Sequence, residues 1–243
     1  MKSRTRALAI FVVTGLCLPP LAAADGHDQA FDQTFLSDYS QLETQQSNQG
    51  VEHFYRVPEL FERVADYNGV MVDQPEILIS AESKYKGGKP DDLAAIAELM
   101  REAVSKELTA GGYAVVNEPA PGIIYVRMAL TDLELKKKKR GFLSFTPIGA
   151  IAHAAKDSGK EMMQKVDMTH VAVQAEFSDS VSGELLGALV AVRAGKKMRM
   201  EFAELDAMLT HYGARITCRL NNARTNAEQL DCLNLPMPEP EEK

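Results

Sequence analysis

Two segments of this chain alternate apolar and polar residues over more than ten positions. This pattern restricts the possible folds of the chain more than any other feature of the sequence. In residues 123–135 and 168–178, alternate side chains are mostly apolar. Such alternation predicts strands of a sheet that has one apolar, covered face and one polar face. The expected apolar face consists of Ile124, Val126, Met128, Leu130, Val171, Val173, Ala175 and Phe177.

Three segments have the spacing or composition of helices. Residues 90–108 and 200–222 repeat apolar side chains every three or four positions, and residues 147–163 are rich in alanine. Shorter strands are predicted at 69–79, where Pro75 suggests a bulge or an edge, at 113–117 and at 184–193. The order is therefore β-α-β-β-α-β-β-α. It predicts an α+β fold, a mostly antiparallel sheet with about three helices packed on one face.

The first 24 residues have the organisation of a secretory signal peptide. Basic residues precede the apolar stretch 7–18, and Ala22, Ala23 and Ala24 form a small-residue cleavage site. Cleavage after Ala24 would release an exported chain. The alternative is a lipoprotein acylated at Cys17, although Leu16 is bulky where a small residue is expected.

The exported chain divides into three predicted parts. Residues 25–52 are polar and predict an extended arm, in which Phe35, Leu36, Tyr39 and Leu42 would dock on the domain. Residues 53–235 form the single α+β domain. Residues 236–243, rich in proline and glutamate, predict a disordered acidic tail.

The charge of the chain restricts its partners. Without residues 1–24 it has 24 basic and 34 acidic side chains, a net charge of −10. Long-range repulsion then opposes binding to nucleic acid and to anionic membranes. We therefore expect no nucleic-acid partner, and membrane association only if Cys17 is lipidated. The expected partner is another envelope protein or an envelope polymer.

Cys218 and Cys232 are the two cysteines beyond the signal segment. An oxidising compartment and an even number of cysteines favour a disulfide between them, and two separate thiols are the alternative. Cys218 lies two positions after Ile216, so it points away from the apolar stripe of its helix. The bond would hold the C-terminal segment up to Leu235.

No common catalytic, cofactor or metal motif is present in the sequence, and no residue is assigned to such a role. Glu176, Asp179 and Glu184 flank the predicted hairpin at 179–183, where carboxylates could act as acid and base. The polar composition of a hairpin turn explains them better. His170 and Glu176 would suggest an enzyme only if a deep pocket gathered them with another titratable group.

Lys136, Lys137, Lys138, Lys139 and Arg140 form the most concentrated run of charge. They are a possible contact for phosphate groups or for an acidic envelope polymer. The alternative is a solvated strand end and loop, which the absence of interleaved aromatic residues favours.

Several stretches resemble an uncharacterised family of bacterial envelope proteins, often lipoproteins, known as domain of unknown function 3313. They are residues 35–42, 55–58, 67–76 and 175–186, and the resemblance extends over about residues 35–195. That family has no assigned catalytic residues, so the resemblance implies no active site. The sequence therefore predicts a non-enzymatic binding or assembly module that is exported and is periplasmic or envelope-associated. The polar face of its sheet, with His170, Gln174 and Glu176, is expected to be free to meet a partner. The alternatives are a hydrolase or transferase with a site built from scattered residues, and a membrane-anchored structural lipoprotein.

Overall fold

The computed structural model describes residues 31–47, 50–83, 90–137, 166–194, 202–225 and 231–238. Within these ranges lie three α-helices, eight strands and one short 3-10 helix. The helices are α1 (Leu60–Val64), α2 (Pro90–Ala110) and α3 (Phe202–Thr225), and the 3-10 helix is Cys232–Asn234. The strands are β1 (Glu43–Ser47), β2 (Gly50–Arg56), β3 (Gly69–Val72), β4 (Glu76–Ile79), β5 (Ala114–Val116), β6 (Ile123–Lys137), β7 (Val166–Asp179) and β8 (Leu185–Ala194).

The strands form one mixed sheet in the order β1-β2-β8-β7-β6-β3-β5, and β4 also pairs with β6. The four pairings from β1 to β6 are antiparallel. Strands β3 and β4 run parallel to β6, and β5 runs parallel to β3. The α+β class and the mostly antiparallel sheet are thus confirmed, whereas the parallel edge was not predicted.

The main core lies between the sheet and helices α2 and α3. Alternating residues of β6 and β7 enter it together with the apolar stripes of both helices, as the pattern predicted. The two helices approach closely because α3 has Gly213 at their contact, where a Cβ atom would lie 3.1 Å from the Cα atom of Val104. Core residues on the two long strands and on α3 are Val126, Met128, Leu130, Val171, Val173, Leu205, Leu209, Tyr212, Ile216 and Leu220.

Residues 31–42, here called the N-terminal segment, cover part of the opposite face of the sheet. Phe35 and Leu36 are buried there, and Tyr39 and Leu42 pack beside them. Small and β-branched side chains make room for this segment, since a face of large residues would hold it away from the backbone. The sheet residues beneath it are Ala129, Ala172, Ala188, Val190 and Val192.

The boundary of the predicted arm is wrong at its C-terminal end. Residues 43–47 and 50–56 form β1 and β2, which extend the sheet beyond β8. The sequence of β1, Glu-Thr-Gln-Gln-Ser, has no apolar alternation, because this edge strand is exposed on both faces. Its backbone pairing with β2 therefore leaves no trace in the hydrophobic pattern.

The predicted order of elements also differs from the structure. The segment 69–79 is two strands, β3 and β4, separated around Pro75, and α1 precedes them. The predicted helix at 147–163 lies outside the described residues, as do the signal segment and residues 239–243. In the described part of the chain, no helix is both long and apolar enough to cross a membrane.

Strand β6 has an irregularity where it passes beneath the N-terminal segment. The pairing of β6 with β7 shifts between Thr131 and Glu134, and Asp132 has a positive φ of 55°. Aspartate tolerates this conformation better than most residues. The carboxylate of Asp132 accepts hydrogen bonds of 3.0 Å from the backbone N–H of Asp32. The bulge thus positions a side chain that fixes the start of the N-terminal segment.

Candidate functional site

A cleft opens at one end of the sheet, on the side that carries the helices. It lies between α1, the C-terminal part of α3, the 3-10 helix, and the adjoining ends of β2, β7 and β8. We call it the α3 cleft. Its volume is about 350 Å³, within the range of roughly 300–1,000 Å³ that small-molecule sites occupy.

Apolar side chains form most of the wall of the α3 cleft. Leu186 and Ile216 are buried there and continue into the main core. Phe54, Leu60 and Phe177 are only half-buried, although they pack against the same core. The cleft is therefore the place where the core is incompletely covered by the described part of the chain.

A buried cluster of charges lies next to this apolar wall. The Glu52 carboxylate on β2 accepts hydrogen bonds from Arg215 and from Arg219, which are one helical turn apart on α3. The side chains of Glu52 and Arg215 are 2% and 4% exposed, whereas that of Arg219 is 28% exposed. Burial lowers the pKa of Arg215, and Glu52 opposes this effect. Arg219 thus brings a positive charge from this cluster to the rim of the cleft.

A disulfide between Cys218 and Cys232 closes one side of the cleft and confirms the predicted pairing. The two Cα atoms are 5.7 Å apart. Arg215 Nε donates a 3.2 Å hydrogen bond to the Cys232 carbonyl oxygen, so the same arginine holds both β2 and the C-terminal segment. Asp231 caps the 3-10 helix by accepting hydrogen bonds from the backbone N–H groups of Leu233 and Asn234.

Removal of this disulfide is expected to weaken the whole domain. The bond closes a loop of about 15 residues, which corresponds to roughly 3 kcal/mol of stability in the chain-entropy model. We expect the double variant Cys218→Ser/Cys232→Ser to lose about that free energy of unfolding in urea titrations. Reduction of the wild-type protein should produce the same change and should leave the variant unaffected. A variant as stable as the oxidised protein would contradict this role.

The carboxylates of the β7–β8 hairpin serve its structure. Asp179 accepts hydrogen bonds from the backbone of Ser182 and from the Tyr67 hydroxyl, and these hold its pKa at about 2. Burial and the bond to Asp179 raise the pKa of Tyr67 to about 12. Glu184 forms an ion pair of 2.7 Å with Arg63, and the hydrogen bond from Arg63 lowers its pKa. Each of these shifts moves the pKa further from 7, whereas acid–base catalysis requires a pKa near the working pH.

His170 and Glu176 do not share a pocket. They lie six residues apart on β7, which separates their backbones by about 20 Å, on the face away from the α3 cleft. Glu176 accepts hydrogen bonds of 2.7 Å from the backbone N–H and the hydroxyl of Ser37. The geometry that would have favoured an enzyme is therefore not formed by these two residues.

Gln174 and Glu176 correct the expectation that the polar face of the sheet is open to a partner. Both are buried beneath the N-terminal segment. Gln174 accepts a 2.8 Å hydrogen bond from the Tyr39 hydroxyl and donates one of 2.7 Å to the Asp32 carbonyl. The polar residues of this face instead bind the N-terminal segment, and their spacing in sequence could not distinguish the two arrangements.

His211 on α3 is a buried imidazole and is 1% exposed. Burial, followed by the charge of Arg215, lowers its pKa to about 4. The ring is consequently neutral at neutral pH. Because the imidazole is buried and does not line the α3 cleft, we assign it to the packing of α3 and not to contact with a ligand.

The basic run at 136–140 lies at the end of β6. Lys136 and Lys137 are the last two residues of this strand, and residues 138–140 lie outside the described part of the chain. Its possible contact with a partner stays a prediction. Within the described ranges, His, Cys, Asp and Glu side chains form no group of three that could hold a metal ion.

Sequence reasoning missed the charged part of the α3 cleft. Arg215 and Arg219 have the four-residue spacing that places them on one helix face, next to the apolar stripe. Their carboxylate partner, Glu52, lies in a segment that appeared to be an arm. The missing information was the pairing of β2 with β8, which brings Glu52 against α3.

Comparison with solved structures gives distant likenesses. A PelC dodecamer from Paraburkholderia phytofirmans is 18% identical, with 70% of this chain and 95% of that chain covered and a TM-score of 0.37. Protein XCC0632 from Xanthomonas campestris, of family DUF330, is 10% identical, with 65% and 85% covered and a TM-score of 0.31. No curated protein sequence matches the chain.

The family comparison agrees with the resemblance noted in the sequence. Residues 32–214 match the family described as "Protein of unknown function (DUF3313)". The match begins within the N-terminal segment, includes every strand of the sheet, and ends within α3. The chain therefore belongs to the DUF3313 family of proteins of unknown function.

Proposed function

We propose that this protein is exported to the cell envelope and acts there by binding another component in the α3 cleft, without chemical turnover. The observation that carries the proposal is the composition of the cleft. A largely apolar wall, formed by residues such as Phe54, Leu60 and Phe177, meets a rim that contains Arg56 and Arg219. Apolar walls with a few placed polar groups are typical of binding sites.

The distribution of titratable groups also supports binding over catalysis. The carboxylates considered as acid and base are engaged by the hairpin and by the N-terminal segment. In the α3 cleft, the described carboxylate Asp231 caps the 3-10 helix, and Glu52 is paired with two arginines. These roles stabilise the fold, which leaves the cleft suited to hold a molecule rather than to transfer its protons.

Export rests on the signal peptide pattern of residues 1–24 and on the chemistry of the disulfide. A bond between Cys218 and Cys232 persists in an oxidising compartment. We expect the intact mass of the protein purified from cells to correspond to a chain that starts at Asp25. A mass that corresponds to an acylated Cys17 would instead support the membrane-anchored lipoprotein.

The binding function is tested by pull-down from envelope extracts with three forms of the protein. Ala223 is buried and lines the α3 cleft, so Ala223→Met would fill part of it. Ala207→Met, on the same helix outside the lining, is the matched control. We expect the wild type and Ala207→Met to recover the same component and Ala223→Met to lose it. Recovery of no component, together with turnover in a broad hydrolase screen, would overturn the proposal.

A further inference from the structure

We infer that the ligand of the α3 cleft is a single-chain amphiphile with an anionic head group. This inference rests on the proposed binding function and specifies its ligand. The apolar chain would occupy the wall between α1, α3 and the sheet, and the head group would lie against Arg219 at the rim.

Three half-buried residues leave apolar surface exposed in the α3 cleft. Phe54, Leu60 and Phe177 come from β2, α1 and β7, and each packs against the core while facing the cleft. An alkyl chain placed there would remove these surfaces from water, which is the main source of apolar affinity. A volume of about 350 Å³ is near the lower end for ligand sites, which favours one chain over two.

The charge of the cleft selects the sign of the head group. Arg219 lines the cleft and, together with Arg215, contacts the single carboxylate of Glu52. Two arginines and one carboxylate leave this cluster with an excess of one positive charge, which Arg219 brings to the rim. The lining carboxylate Asp231 is engaged by backbone N–H groups of the 3-10 helix. A local positive site attracts an anion and not a cation.

Arg219 has the geometry to bind an oxyanion while it keeps its partner in the fold. One of its terminal nitrogens donates to Glu52, and its side chain is 28% exposed at the rim. A guanidinium group has five N–H donors in a planar fork that matches phosphate and carboxylate. The head group would thus remain near water, where an ion is solvated at lower cost than in the apolar wall.

Calorimetric titration of the purified, oxidised protein with dodecyl phosphate below its micellar concentration tests this inference. Dodecyl maltoside provides the same chain with a neutral head, dodecyltrimethylammonium provides a cationic head, and inorganic phosphate provides the head alone. We expect dodecyl phosphate to bind at least about tenfold more tightly than each of the three. Equal binding of the neutral and anionic amphiphiles, or tight binding of inorganic phosphate alone, would overturn the inference.

Two variants locate the binding in the cleft. Arg219→Gln should weaken dodecyl phosphate about tenfold and leave dodecyl maltoside unchanged. The matched control is Arg101→Gln on α2, since Arg101 also pairs with one carboxylate and is 34% exposed. It should change neither affinity. Ala223→Met should weaken both amphiphiles, and thermal melts of each variant establish that it is folded. Unchanged binding by folded Arg219→Gln or Ala223→Met would overturn the assignment.

The two proposals fail in distinguishable ways. If pull-down recovers a component that Ala223→Met loses, while dodecyl phosphate does not bind, the cleft binds a ligand of another class and only the present inference is overturned. If neither the pull-down nor the titration gives binding that depends on Ala223, both proposals are overturned.

Discussion

Substitution of Glu52 by glutamine is expected to be the most destabilising change of a single charged residue described here. Glu52 is the carboxylate that both Arg215 and Arg219 contact, and its side chain is 2% exposed. Glu52→Gln keeps the size of the side chain and removes its charge, so Arg215 stays buried without a countercharge. Removal of one partner of a buried ion pair costs about 3–5 kcal/mol. Urea unfolding of the variant and the wild type measures this difference.

Two further variants separate the charge effect from loss of packing. Glu43→Gln, on the exposed edge strand β1, should change stability by less than about 0.5 kcal/mol. The double variant Glu52→Leu/Arg215→Met removes the buried pair as a whole, and apolar replacements of such pairs are often tolerated. It should be more stable than Glu52→Gln. If Glu52→Gln lowers the free energy of unfolding by less than about 1 kcal/mol, the ion pair does not contribute to holding β2 against α3.

Leu205→Ala should produce the second large effect, because it opens a cavity in the centre of the main core. Leu205 is fully buried on α3 and packs in the cluster that includes strand residues such as Val173. Lost transfer free energy and the new cavity together cost about 2–5 kcal/mol for a leucine truncated to alanine. The change should appear as a lower urea midpoint with an unchanged slope.

The control for this truncation is Val181→Ala at the tip of the β7–β8 hairpin. Val181 is 63% exposed, so its truncation should shift the free energy of unfolding by less than about 0.5 kcal/mol. A shift near zero for Leu205→Ala as well would contradict its place in the core. A changed slope would instead indicate an altered unfolded state or loss of two-state unfolding.

Local periodicity was sufficient to predict the long elements and their buried faces. The alternation in 123–135 and 168–178 predicted β6 and β7, and the residues assigned to the covered face, including Val126 and Val173, are buried in the main core. The apolar stripes of α2 and α3 could be predicted for the same reason. Burial on one face imposes a period of two on a strand and of 3.6 on a helix, and both are readable from the chain alone.

The pairing of Cys218 with Cys232 was also accessible from sequence. Two cysteines remain beyond the signal segment, and they are separated by 14 residues in the chain. The expected compartment is oxidising, which favours a bond between them. Docking of Phe35 and Leu36 was predicted because large apolar residues in a polar segment need a surface to cover. The identity of that surface, the small-residue face of β6, β7 and β8, was not predictable from those residues.

The sequence by itself therefore determined which residues are buried within each long element and the α+β class, and it favoured the pairing of the cysteines that the structure shows. Only the tertiary structure decided that residues 43–56 extend the sheet, that the N-terminal segment covers Gln174 and Glu176, and that Glu52 meets Arg215 and Arg219 in the α3 cleft. The physical reason is the range of the interactions. Periodicity records burial within one element, whereas edge pairing through the backbone and ion pairs between distant residues leave no local pattern.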